Sequence, residues 1–158
     1  MKIDARHLDA IRARARAGHP LEVCGVLLGR TDADGVVVAD AVAVDNQETT
    51  APRVRYEIAP EDLLRLQREA RAAGLEIVGF YHSHPDHPPR PSETDRRMAA
   101  EGLSDGVVHL IMGVDGDGGT FPSAWIFRDA SQAFEEEALQ AVGPSTHRPG
   151  PRRSDFSP

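Results

Sequence analysis

Hydrophobic positions along this chain follow two periods, and the switches between them mark out the elements. From residue 4 to 17, Leu8, Ile11 and Ala15 share one helical face among many arginines, and Gly18 followed by Pro20 ends the run. That pattern predicts an amphipathic helix with Arg12, Arg14 and Arg16 on a solvated basic face. Residues 23–28 are continuously apolar and closed by Gly29, and residues 36–44 are rich in valine and alanine, so both read as strands. The polar turn 32–35 between them predicts a hairpin. No period holds from 46 to 58, which predicts a long loop of a kind more often functional or mobile than decorative. Pro60-Glu61-Asp62 then opens a second helix, with Leu63, Leu66 and Ala70 as its buried stripe as far as Gly74.

Ile77 and Val78 begin a further buried strand that runs into Gly79-Phe80-Tyr81-His82-Ser83-His84-Pro85. A third helix is predicted over 92–101, strands over 107–112 and 120–127 joined by a turn at 115–119, and a last helix over 132–142. Trp125 is expected as one of the few large core residues, and His109 as a satisfied core or edge histidine. Residues 143–158 are rich in Pro, Ser and Arg with little to bury, which predicts a disordered tail and leaves 1–142 as the one folded domain.

Composition narrows the picture without redirecting it. With 158 residues, 40% of them hydrophobic, the chain has the size of one domain around a single core. A net charge of -7 argues against nucleic acid as a partner, since phosphate binding needs a cationic footprint. The one cysteine, Cys24, excludes an intrachain disulfide and the Pro-Cys-x-x-Cys zinc site of deaminases, and among apolar neighbours it reads as a core residue. The N-terminal residues mix acid and base, and no apolar run approaches membrane-spanning length, so the expectation is a cytoplasmic protein with no membrane partner.

The chemistry is concentrated between His82 and Asp95. Side chains alternate along a strand, so His82 and His84 share a face while Ser83 points away, which is the geometry of a two-toothed metal claw. Pro88-Pro89-Arg90-Pro91 is a stiff linker that cannot be helical, and Ser92-Glu93-Thr94-Asp95 opens the helix after it. With Ser92 as the N-cap, Asp95 lies in the first turn, where a chain doubling back over the linker brings its carboxylate to the histidines. Two imidazoles and one carboxylate leave a fourth position for water, the pattern of a catalytic zinc site. Ser-x-x-Asp is equally a capping box in its own right. Glu22, at the entry of the strand 23–28, and His19 before it carry no weight alone and read as surface residues.

Taken together, Glu22, His82-Ser83-His84 and Ser92-Glu93-Thr94-Asp95 resemble the JAMM (MPN-plus) metalloproteases. That family's pattern is a distant Glu, then His-x-His, ten intervening residues and Asp, with Ser three positions before the Asp. Pro20-Leu21-Glu22-Val23-Cys24-Gly25, Gly79-Phe80-Tyr81 and Pro91-Ser92 look like its bacterial branch, and the resemblance spans roughly residues 3 to 130. It implies an α/β fold, a curved mixed sheet flanked by helices of the cytidine-deaminase-like type. It also implies one zinc ion per chain held by His82, His84 and Asp95, with Glu22 as general base and Ser92 as donor to the developing oxyanion. The expected reaction is hydrolysis of the amide bond after the C-terminal Gly-Gly of a ubiquitin-like or sulfur-carrier protein, peptide or isopeptide. For such a tail, residues 46–58 are the expected backbone-pairing segment, through Val54, Arg55 and Tyr56.

Two rivals stand beside this reading. His82-Ser83-His84-Pro85-Asp86-His87 also satisfies the two-metal signature resembling metallo-β-lactamases, but that fold needs a longer chain and further ligands, and only His109 and His147 follow. A non-catalytic MPN scaffold is the other, although scaffolds of that kind have lost ligands that this chain retains. The oligomeric state is not legible in the residues.

Overall fold

The computed structural model describes residues 1–102 and 105–143. Its elements are β1 (Lys2–Asp4), α1 (Ala5–Gly18), β2 (Cys24–Asp32), β3 (Gly35–Val44), α2 (Pro60–Ala72), β4 (Glu76–Pro85), α3 (Glu93–Glu101), β5 (Val108–Val114), β6 (Thr120–Arg128), β7 (Ala133–Glu137) and β8 (Gln140–Val142). The strands form one eight-stranded sheet in the order β7-β6-β5-β4-β2-β3-β1-β8. It is mixed: β4 runs parallel to β5, and β1 parallel to β3 and β8, while the other pairs are antiparallel. The α/β class with helices flanking a mixed sheet is the one expected. The predicted tail lies outside the described residues from 144 onward.

Helix α1 is capped by Asp4, whose carboxylate accepts from the Arg6 amide at 2.8 Å. Its buried Leu8, Ile11 and Ala15 cover one face of the sheet, meeting Leu27, Tyr81, Leu110, Met112 and Ile126. The expected solvated arginine face is partly tethered, since Arg14 donates to the Val44 carbonyl at 2.8 Å and Arg16 to that of Gly118, also at 2.8 Å. Helix α2 covers the opposite face, where Leu66 and Ala70 pack with Cys24, Val26, Leu28 and Phe80. Along β4 the alternation is therefore functional: Tyr81 points into the α1 layer, and Phe80, His82 and His84 follow one another on the α2 side.

Two expectations give way here. The predicted helix over 132–142 is instead β7 and β8. Its glutamates and alanines favour a helix locally, but Phe134 registers opposite Phe127 and packs edge-on against it at 5.3 Å and against His109 at 5.0 Å, so pairing at the sheet edge prevails. Residues 140–142 then close the other edge beside β1. Trp125 is half-buried rather than a core residue, because its indole N–H reaches out to the Pro89 carbonyl at 3.0 Å.

Candidate metal centre

His82 and His84 end β4 on one face, as alternation requires, and α3 supplies the third side chain. Ser92 is its N-cap: the Ser92 hydroxyl accepts from the Asp95 amide at 3.0 Å, and the Asp95 carboxylate accepts from the Ser92 amide at 2.8 Å. This capping box fixes the Asp95 rotamer and aims it at the histidines. The carboxylate oxygens lie 3.3 Å from His82 Nε2 and 3.2 Å from His84 Nε2, and the two Nε2 atoms are 3.0 Å apart. The linker is fixed as well, with His84 Nδ1 bonded to the Pro88 carbonyl at 2.9 Å and Pro89 held from β6 by Trp125 and Ser123.

A divalent cation fits this arrangement. Bonds of about 2.0–2.1 Å to a tetrahedral zinc place neighbouring donor atoms about 3.3–3.4 Å apart. The His82, His84 and Asp95 donors converge at nearly that spacing, all three residues are buried, and the Pro88 carbonyl fixes His84 with Nε2 turned inward. Burial lowers the His82 pKa from its usual range despite the opposing pull of Asp95, which favours the neutral ring that a metal ligand needs. Burial pushes Asp95 the other way, but the charge of His82 and bonds from His82, His84 and the Ser92 amide prevail, so it is held well below the usual carboxylate range.

Glu22 is not a surface residue. It is 5% exposed, and its Oε2 has no hydrogen-bond partner among the described residues. Its backbone is fixed on both sides by the loop 46–58, its amide donating to the Pro52 carbonyl at 2.7 Å and its carbonyl accepting from the Asn46 side-chain amide at 3.1 Å. On the strand side, the Val23 amide donates to Ser83 Oγ at 2.9 Å, so the residue between the two histidines anchors the segment carrying Glu22. Burial, reinforced by the charge of Asp95, raises its pKa from 4.5 to about 9. A cavity of about 320 Å³ opens over Glu22, His84 and Ser92, walled by Val54, His87 and Arg90.

The loop 46–58 lies against the site. Tyr56 stacks on the His82 ring at 4.6 Å, and Val54, 51% exposed, faces the cavity. The expected backbone pairing finds its atoms already engaged, since the Val54 amide donates to Ala51 and the Arg55 carbonyl accepts from Asn46. Among the described residues the two-metal rival is not assembled. Asp86 turns to His19, 3.0 Å away, with a φ of 59°, and His87 stands exposed at the cavity wall. Cys24 is buried and its thiol is pushed up to about 12 by burial, so it is inert. His109 is buried as expected but not satisfied, with Nε2 unpartnered among the described residues; burial and then the His82 charge lower its pKa to about 4. Sequence reasoning missed Asn46, Ser83, Ser123 and Trp125 as supports, and only the Asx-type spacing around Asn46 hinted at one of them.

Comparison with known proteins gives the family and the fold. Residues 4–142 match the model of the prokaryotic homologs of the JAB domain. A desampylase of Haloferax volcanii is 44% identical over 117 residues, which cover 72% of this chain and 78% of that protein. A desampylase of Pyrococcus furiosus is 32% identical over 116 residues, 73% of each. The crystal structure of a JAB1/MPN domain protein from Archaeoglobus fulgidus superposes with a TM-score of 0.57 at 23% identity, covering 90% of this chain and 100% of that one.

Proposed function

The chain belongs to the prokaryotic homologs of the JAB domain and is a JAMM-type hydrolase, and from that premise we propose a zinc-dependent isopeptidase or peptidase that removes a ubiquitin-like or sulfur-carrier protein from the amine joined to its C-terminal Gly-Gly. The observation that carries this reading is Glu22: a buried carboxyl with an unpartnered oxygen, opening on the same cavity as His84 and Ser92. His82, His84 and Asp95 would hold the zinc, with Glu22 and Ser92 as the catalytic side chains. When bound, zinc supplies Lewis acidity for the carbonyl and for water.

The remaining work falls to the chain. Glu22 takes a proton from the attacking water as the carbonyl carbon becomes tetrahedral, and returns it to the nitrogen as the C–N bond breaks, leaving a carboxylate and a free amine. Its buried position beside the cavity keeps bulk water away from that proton between the two steps. The Ser92 hydroxyl accepts from the Asp95 amide, which leaves its own proton free to donate to the developing oxyanion. Val54 supports the substrate assignment. Its exposed side chain stands on the same cavity wall as Glu22, so a tail without side chains would be accommodated there more readily than a bulky one.

The test is mass spectrometry of a carrier fused through its Gly-Gly to a short C-terminal extension, before and after incubation with the protein. Release of the extension after the second glycine is the expected result. Equal cleavage of a carrier whose terminal glycine is replaced by a bulky residue contradicts the Gly-Gly assignment, and no cleavage of any carrier contradicts the substrate class.

A further inference from the structure

A second cavity, of about 330 Å³, lies beyond the first and shares a wall with it: Arg90, Pro91 and Ser92 line both. Its other walls come from α3 and the β6–β7 edge, through Arg96, Trp125 and Phe134. A carbonyl held at Ser92 therefore has a recess on either side. Glu22 and Val54 border the first, which the proposed function gives to the carrier tail. The second is left for whatever follows the scissile nitrogen.

The charges of that recess are uneven. Arg96 is occupied, its guanidinium bonded twice to Glu93 at 2.6 and 2.9 Å. The Arg90 side chain is exposed and makes no hydrogen bond or ion pair among the described residues, although its backbone is fixed by the Pro88 carbonyl at 2.8 Å. The linker beneath it is clamped through Pro89 to Trp125 and Ser123. On a chain of net charge -7, a free cation on a rigid support between two cavities has the means to select by charge. Trp125 and Phe134 supply the apolar wall against which a side-chain stem lies.

We propose that this second cavity is the leaving-group subsite, and that Arg90 is a specificity-determining residue that favours an acidic side chain or free carboxylate within two residues of the released amine. The inference rests on the proposed function for the direction of the substrate. An exposed cation of this kind discriminates by about two- to fivefold in kcat/KM, less at high salt.

Two measurements test it. In the first, carrier fusions with Asp-Asp or Lys-Lys just after the scissile bond are cleaved in competition by the wild type, Arg90→Ala and Arg90→Glu. The proposal expects a preference for Asp-Asp in the wild type, none in Arg90→Ala and the reverse in Arg90→Glu. No preference in the wild type, or one that survives Arg90→Ala, overturns it while leaving the hydrolase reading intact. The second needs no turnover, because Trp125 is the only tryptophan of the chain and its fluorescence reports occupancy of this cavity. Gly-Asp-Asp-amide should give a saturable change that Gly-Lys-Lys-amide gives only more weakly and that weakens in Arg90→Ala. Equal responses to both peptides, or no response, overturn the subsite whatever the carrier experiment returns.

Discussion

The two faces of one sheet have been put to opposite uses. Under α1 the core cluster sets Leu8 and Ile11 with Tyr81, Leu110, Met112 and Ile126. On the other face the apolar layer of α2 extends along β4 only as far as Phe80, and the next two side chains on that side are His82 and His84. The ionisable side chains of Glu22, His82, His84 and Asp95 are buried there, as is His109 beside Phe80. Burying such groups is costly unless they are paired with one another or with a cation, so the second face is organised around what it binds and the first around what it excludes. Strand alternation lets β4 serve both at once.

The contrast breaks first at Glu22. Glu22→Gln is expected to keep the fold and the metal content but lose about 10²–10⁴-fold in kcat, because an amide takes no proton; steady-state rates beside metal analysis check this, and near-normal turnover removes Glu22 from the mechanism. On the opposite face, Leu8→Ala is expected to cost about 2–5 kcal/mol of stability by leaving a cavity, with the rate per folded molecule unchanged. Denaturant titration alongside kinetics separates the two. Ser92→Ala lies between them, since it removes both a cap and an oxyanion donor. A loss of about 10²-fold in rate is expected, whereas a loss of about 1 kcal/mol in stability with no rate change assigns Ser92 to capping alone.

The smallest effect is one of pH and belongs to the metal-free protein. Glu22 titrates near 9 when folded and at its ordinary 4.5 when unfolded, so the folded state holds the extra proton and stability falls as pH rises through that window. His109, about 4 when folded and 6.5 when unfolded, works the other way but has finished by about pH 6.5, and His82 shifts in the same direction as His109. Chelator-treated wild type should therefore lose stability from about pH 6.5 to 9, and Glu22→Gln should not. Parallel pH profiles for the two contradict the raised pKa.

Most of the second face was legible in the residues because its parts are local. The His-x-His pair follows from strand period, and Ser92 with Asp95 from helix capping; the capping box also orients the carboxylate of the candidate ligand. What escaped depends on contacts distant in sequence. Glu22 looks like a surface acid until the loop 46–58 and Ser83 fix the chain on either side of it. Residues 132–142 look helical until Phe134 meets Phe127 and His109 across the sheet. Trp125 looks like core until the Pro89 carbonyl, 36 residues away, claims its N–H.

Zinc stoichiometry tests the central claim most directly. Inductively coupled plasma measurement on the zinc-reconstituted, desalted protein should give about one zinc per chain, falling to near zero in His84→Ala and in Asp95→Ala while circular dichroism remains that of the folded protein. No retained zinc in the wild type, or two tightly held ions per chain, would contradict the three-ligand site on which the mechanism depends.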